Sequence, residues 1–118
     1  MRNINTRTKT LKKKLNKCKT IFYAYNELQF KYGNLLDEKD NVSEFKCNVR
    51  INCSLGDNYT TDFYIINKDG SITIRECVYR EKLNKPLTAK MLDSSRNYWL
   101  SKGIKNWGIV INEEEWFI

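Results

Sequence analysis

The chain has 118 residues, of which 41% are hydrophobic and 30% are charged. These values fit a single compact domain and exclude a disordered or a fibrous protein. No apolar run is long enough for a transmembrane helix, and the basic, polar start lacks the apolar core of a secretory signal. We therefore expect a cytoplasmic protein that does not enter a membrane.

The four cysteines and the lack of histidine narrow the chemistry further. Because no two cysteines form a CxxC pair, a zinc site of the Cys and His type is all but excluded, and so is catalysis by imidazole. In a cytoplasmic protein we expect these thiols to be reduced and mostly buried.

The positive charge is concentrated at the N-terminus. Residues 1–19 hold eight basic side chains and no acidic one, whereas residues 20–118 are close to neutral, so the net charge of +7 comes from the first segment. We expect a basic N-terminal arm over residues 1–19 and a single domain over residues 20–118. Such an arm suits the DNA backbone, although it is also typical of a solvated tail that aids solubility. The residues expected to contact DNA are Arg7, Lys9, Lys12, Lys13, Lys14 and Lys17.

The predicted elements follow as helix, three strands, helix and strand. Apolar spacing of three and four predicts the first helix over residues 20–37. Alternating and β-branched residues predict strands over 42–53, 59–66 and 71–79. Pro86 in a first turn begins the second helix, and Gly103 caps its end. A strand over 106–112 completes a mixed α/β domain.

The turn between the second and third strands fixes their register. If residues 68–70 form a three-residue loop, Asn67 lies opposite Ser71 and Asp62 lies opposite Glu76. Opposed β-carbons are about 4.5–5.5 Å apart, and like charges in such a pair are destabilising. A divalent cation is the simplest compensation, since Mg²⁺ is held by one or two carboxylates. The alternative is a partly exposed pair that Arg75, Arg80 or Lys68 screens.

Several motifs, in order, resemble the N-terminal catalytic domain of TnsA, the endonuclease subunit of heteromeric transposases. The resemblance covers about residues 20–115. The motifs that carry it are Tyr59-Thr60-Thr61-Asp62-Phe63, then Glu76, Ser95-Arg96-Asn97-Tyr98-Trp99, Gly103-Ile104 and Trp107-Gly108-Ile109-Val110. The resemblance implies a restriction-endonuclease-like core of the PD-(D/E)xK type with a mixed sheet. It also implies hydrolysis of DNA phosphodiester bonds with Mg²⁺ or Mn²⁺, beside a partner transposase subunit.

The resemblance also assigns the site residues. Asp62 and Glu76 match the metal-binding acids of the family, and Glu27 on the first helix best matches a third acid. Glu27 is equally well read as an ordinary surface glutamate. Both Trp99 and Trp107 are expected in the core rather than as stacking platforms for bases.

One position departs from the family pattern. Two residues after Glu76 the family has lysine, and this chain has Val78. Among the substitutes, Arg75 points to the opposite face and Arg80 lies too far along the strand, so Lys90 on the second helix is our choice. Two other readings stay open: a catalytically inactive DNA- or protein-binding module of the same fold, from a mobile element or phage, and a plain scaffold domain whose acids are surface residues.

Overall fold

The structure is a computed structural model that describes residues 1–4 and 9–112 of the chain. Its longer elements are two helices and four strands, with three short strands near the N-terminus. In chain order they are β1 (Arg2–Asn3), β2 (Leu11–Lys13), β3 (Phe22–Ala24), α1 (Glu27–Glu38), β4 (Val42–Cys53), β5 (Gly56–Asn67), β6 (Ile72–Cys77), a 3₁₀ turn (Arg80–Lys82), α2 (Pro86–Ser101) and β7 (Trp107–Val110).

The main sheet is mixed and is organised around β5. Strand β4 pairs antiparallel with β5 along one edge. On the other edge β6 pairs antiparallel with β5 from Phe63 to Ile66, and β1 pairs antiparallel with it at Tyr59 and Thr60. Strand β7 lies parallel to β6, and α2 provides the crossover that a parallel pair requires. The expected α/β domain with a mixed sheet is confirmed.

The two helices cover opposite faces of this sheet. On the α1 face, buried Leu28 and Leu36 pack with the aromatic rings of Phe22, Phe45 and Phe63. On the α2 face, Ile51, Ile74 and Trp99 form a second core cluster. Burying such a side chain contributes about 1.5–3 kcal/mol relative to leaving it exposed. The sheet is therefore stabilised from both sides, and its side chains alternate between two different environments.

Most predicted elements are confirmed, because local chemistry specifies them. Strand β4 has the predicted bounds, and α2 begins at Pro86. Beyond α2, Gly103 has φ +81°. Its N–H bonds Leu100 O and that of Ile104 bonds Trp99 O, which is the Schellman arrangement that glycine favours.

The predicted start of the first helix is wrong. Residues 22–24 form strand β3 paired with β2, and α1 begins only at Glu27. Asn26 causes the break, because its extended φ of −158° is not helical and its side chain accepts the N–H of Gln29 at 2.8 Å. The buried positions of Phe22 and Ala24 around exposed Tyr23 follow strand alternation, which the helical spacing concealed.

The N-terminal segment belongs to the domain wherever the structure describes it. In addition to the pairing of β1 and β2, Leu15 and Cys18 are buried in the α1-face core. These two apolar residues lie within a basic stretch, and their burial holds the segment against the domain. The segment is therefore not a separate arm. Four of the six residues expected to bind DNA are exposed: Lys9, Lys12, Lys13 and Lys14. Lys17 is half-buried, and Arg7 lies outside the described residues.

All four cysteines are free thiols, and Cys18 and Cys77 are buried as expected. Burial raises the pKa of Cys47 to about 11, which keeps that thiol protonated near neutral pH. In the part of the chain described, neither α1 nor α2 has the length and apolar character needed to cross a membrane.

Candidate functional site

The β5–β6 hairpin brings Asp62 and Glu76 together. Its register runs from Ile66 opposite Ile72 to Phe63 opposite Arg75, as the three-residue loop predicts. The next position along this register sets Asp62 against Glu76. Their exposed fractions are only 6% and 0%. The two acids are therefore a buried pair and not a screened surface pair.

Each carboxylate of the pair accepts a backbone N–H from the opposite strand. Glu76 Oε1 accepts the N–H of Asp62 at 2.8 Å, and Asp62 Oδ2 accepts the N–H of Cys77 at 2.8 Å. At this end of the hairpin, side chains take the place of the backbone carbonyl acceptors of a regular ladder. The two carboxylates are thereby fixed relative to each other by the backbone itself.

A second layer of hydrogen bonds holds Glu76. Thr61 Oγ1 donates to Glu76 Oε2 at 2.8 Å, and Ser95 Oγ of α2 donates to the same oxygen. Each hydroxyl accepts an indole N–H in turn, from Trp99 at 2.8 Å and from Trp107 at 3.0 Å. Because the indoles occupy the hydroxyl acceptors, both hydroxyl protons are directed at Glu76. Such an arrangement suits an ionised carboxylate.

The cation at this pair is the α-ammonium group of Met1. Its nitrogen lies 3.1 Å from Asp62 Oδ2 and 2.9 Å from Glu76 Oε1, and the pairing of β1 with β5 carries it there. Burial lowers the pKa of this amino group, but the charges of the two carboxylates outweigh burial and raise the pKa from 8.0 to about 11. The pKa of Asp62 is raised, chiefly by burial and then by the neighbouring charge of Glu76, against the opposing effect of the ammonium.

A cavity of about 510 Å³ adjoins the pair, with Asp62 and Val78 in its lining. Three basic residues also line it: Arg2, Lys82 and Lys85. The volume lies within the range of ligand pockets, and the basic lining suits an anionic ligand. Asp62 lies at the wall of this basic cavity, so the pair can hold a cation there and the cavity can receive a phosphate.

Neither Glu27 nor Lys90 joins the pair. Glu27 is exposed and lines a different cavity with Lys31, and Lys90 is exposed on α2 and does not line the cavity at Asp62. Within residues 1–4 and 9–112, no three side chains of the Asp, Glu, Cys or His types come together as a metal-ligand group. The resemblance suggested both residues. Glu27 is the first residue of α1, which begins seven residues later than predicted, whereas α2 begins at Pro86 as predicted and carries Lys90 at an exposed position.

Two groups at the site escaped the sequence reasoning. One is the Met1 amino group. The positive charge concentrated at the N-terminus was the sequence signal for it, and that signal does not identify the contact with the two acids. The other is Gln29 of α1, which is buried in the lining of the Asp62 cavity. Its Oε1 accepts the N–H of Tyr25 at 2.9 Å and its Nε2 donates to Asn48 Oδ1 at 2.9 Å. The sequence signal for the inward position of Gln29 was Asn26, because this residue caps α1 and so sets the start of the helix at residue 27.

Comparison with known proteins gives no match: no protein-family model fits this chain, and no curated protein is significantly similar to it. What the protein does must therefore be argued from the geometry of the Asp62–Glu76 pair.

Proposed function

We propose that this protein is a metal-dependent DNA endonuclease with a restriction-endonuclease-like core similar to that of TnsA. The observation that carries the proposal is the buried Asp62–Glu76 pair, whose oxygens converge on one positive charge beside a basic cavity. Buried like charges destabilise a fold, so a pair of this kind needs a cation.

The donors of the pair fit a hard divalent cation. Asp62 and Glu76 would hold the ion, since Mg²⁺ and Mn²⁺ prefer carboxylate oxygen and commonly bind through one or two carboxylates. When bound, such an ion supplies an activated water and stabilises the charge on a phosphodiester. The Met1 ammonium contacts the same two carboxylates, so the ion and the ammonium compete for them.

The residues around the pair have separate tasks in this proposal. Thr61 and Ser95 hold the Glu76 carboxylate in one orientation, which keeps the site organised before substrate arrives. Lys82 and Lys85 line the cavity and would contact the phosphate backbone, which positions DNA without reading its sequence. The exposed lysines of residues 9–14 would add backbone contacts farther from the site.

Plasmid nicking at low salt with Mg²⁺ or Mn²⁺ tests this function. We expect the wild-type chain to nick, and we expect Asp62→Asn to lower the rate by about a hundredfold or more, because one of the two carboxylates is lost. Asp93→Asn, which removes an exposed aspartate of α2, is the matched control and should nick as the wild type does. Nicking that survives Asp62→Asn unchanged would refute the assignment.

A DNA- or protein-binding module without catalysis is the second candidate. Two observations favour it: Val78 stands where the family has lysine, and the Met1 ammonium already compensates the pair. This candidate predicts DNA binding that weakens steeply with salt and needs no divalent ion. Salt-sensitive binding without nicking in any metal, also in the presence of a transposase partner, would select it over the nuclease.

The resemblance also carries the proposed setting. A transposase subunit is the protein partner that it implies, and the cytoplasm is the compartment in which free cysteines such as the four of this chain persist. Copurification with a transposase encoded beside it is the measurement for the partner.

A further inference from the structure

A second polar cavity, of about 500 Å³, lies on the opposite face of the sheet from Glu76. It is bounded by the end of α1, the turn between β5 and β6, and the residues before β7. Arg75, the neighbour of Glu76 in β6, lines it from the sheet, because successive side chains of a strand point to opposite faces. Lys39 and Lys68 line the same cavity.

Arg75 is held in one position at this cavity. Its Nη1 donates to Ile74 O at 2.8 Å, and its Nη2 donates to Asn106 Oδ1 at 3.1 Å. The guanidinium also lies close to Gly108, where an added Cβ would come within 3.1 Å of Nη1. A glycine in β7 therefore makes room for the planar group. These hydrogen bonds orient the guanidinium before a ligand arrives, so less side-chain entropy is lost on binding.

The charge of Arg75 has no acidic counterpart in the described structure. None of the ion pairs within residues 1–4 and 9–112 includes it, so no carboxylate there lies within 4.0 Å of its guanidinium. Its hydrogen bonds go to the neutral oxygens of Ile74 and Asn106. The acid in the cavity lining, Asp69, accepts the N–H of Ser71 at 2.9 Å and is bound within its own turn. A half-buried guanidinium without a counter-charge is costly, and an incoming anion would remove that cost.

We propose that this cavity binds a phosphate group, with Arg75 as the fixed anchor and Lys39 and Lys68 as supporting charges. The N–H groups on one edge of a guanidinium match two oxygens of a phosphate. The cavity lining has three cations and one carboxylate, and that carboxylate is already hydrogen-bonded within its own turn. This charge balance suits a multiply charged oxyanion. The volume exceeds that of phosphate alone, so the group belongs to a larger molecule. This site lies apart from the Asp62–Glu76 pair and does not depend on its proposed activity.

Titration of the full chain, followed by amide chemical shifts in ¹⁵N NMR spectra, tests the proposal. The probes are inorganic phosphate, a deoxynucleoside 5′-monophosphate and a single-stranded oligonucleotide without terminal phosphates. We expect saturable shifts centred on Thr73, Asn106 and Gly108. Preference for the monophosphate assigns a free nucleotide as the source of the phosphate, and preference for the oligonucleotide assigns the nucleic-acid backbone.

Variants separate specific binding from general attraction of charge. Arg75→Gln should weaken binding of the preferred probe by about tenfold or more, because a charge-assisted hydrogen bond is lost. Lys68→Gln, in an exposed turn, should weaken it a few-fold without disturbing the sheet. Lys31→Gln removes an exposed lysine outside the cavity, so this variant should bind as the wild type does. Shifts that do not saturate, or that are the same in Arg75→Gln and Lys68→Gln as in wild type, would overturn the proposal.

Discussion

The ammonium of Met1 should make folding stability strongly dependent on pH on the alkaline side of neutrality. In the folded protein its pKa is raised from 8.0 to about 11 by Asp62 and Glu76, which outweigh burial. One pKa unit corresponds to about 1.4 kcal/mol, so the shift of three units corresponds to about 4 kcal/mol. Because the folded pKa is the higher one, this stabilisation is fully present below pH 8 and is lost as the pH rises towards 11.

Urea unfolding at pH 7 and pH 10 measures this effect on a preparation whose first residue is Met1. We expect the wild type to lose roughly 3 kcal/mol of the ammonium contribution over that interval. The change from pH 7 to pH 10 also affects stability in ways that do not involve this ammonium. A variant carrying both Asp62→Asn and Glu76→Gln shares that background but removes the charges that raise the pKa, so it is the matched control.

Two results would refute the reasoning. One is a wild type and a double variant whose free energies of unfolding change in parallel between pH 7 and pH 10. The other is an α-amino group that titrates near pH 8 in the folded wild type, followed by NMR of ¹⁵N-labelled methionine. N-terminal acetylation is an independent perturbation: it should destabilise the wild type at pH 7, because two buried carboxylates are left without a cation.

Three further predictions concern single contacts, and urea unfolding checks each of them. Ser95→Ala should cost about 1–3 kcal/mol because it removes a donor to buried Glu76; an unchanged midpoint would mean that this hydrogen bond is not needed. Gly33→Ala should cost about 1–3 kcal/mol, since its Cβ would lie 2.2 Å from the ring of Phe22, and a neutral effect would show that the ring can move. Asn26→Ala should cost about 0.5–2 kcal/mol through loss of the α1 cap, and Asn26→Ser should recover most of it.

The elements that the sequence specifies locally were predicted well. The hairpin turn fixed the register of β5 and β6, and with it the meeting of Asp62 and Glu76, because a turn of defined length leaves no freedom of pairing. Pro86 and Gly103 marked the limits of α2 in the same way, through their own backbone preferences. The paired acids were therefore accessible from short-range chemistry alone.

What depends on long-range contacts was not predicted. The Met1 ammonium bonds a carboxylate 61 residues away in sequence, and no local pattern reports such a contact. Strand β3 exists because β2 pairs with it, so its residues were assigned to a helix from their spacing. Glu27 was chosen from the resemblance as part of a helix over residues 20–37, whereas α1 begins at Glu27 and directs Gln29 inward.

Val78 stands where the proposed relatives have lysine, and in this structure another group supplies the positive charge at the pair. The positive charge at the pair comes from the backbone terminus of Met1 and not from a side chain of β6. The ammonium is held there by the pairing of β1 with β5 and by the hydrogen bond of Ile4 N–H to Asn58 O at 2.8 Å. A divalent ion that binds the pair must displace this ammonium, so its binding should strengthen when the amino group is acetylated.

The most direct test of the account is whether Asp62 and Glu76 bind a divalent cation together. Substoichiometric Mn²⁺ broadens nearby amide signals, and the amides of Asp62 and Cys77 donate to the two carboxylates. The account predicts that these two signals broaden first in the wild type and that Glu76→Gln abolishes the effect. Broadening confined to exposed acids such as Asp40 and Glu81, with these two amides unaffected, would contradict it.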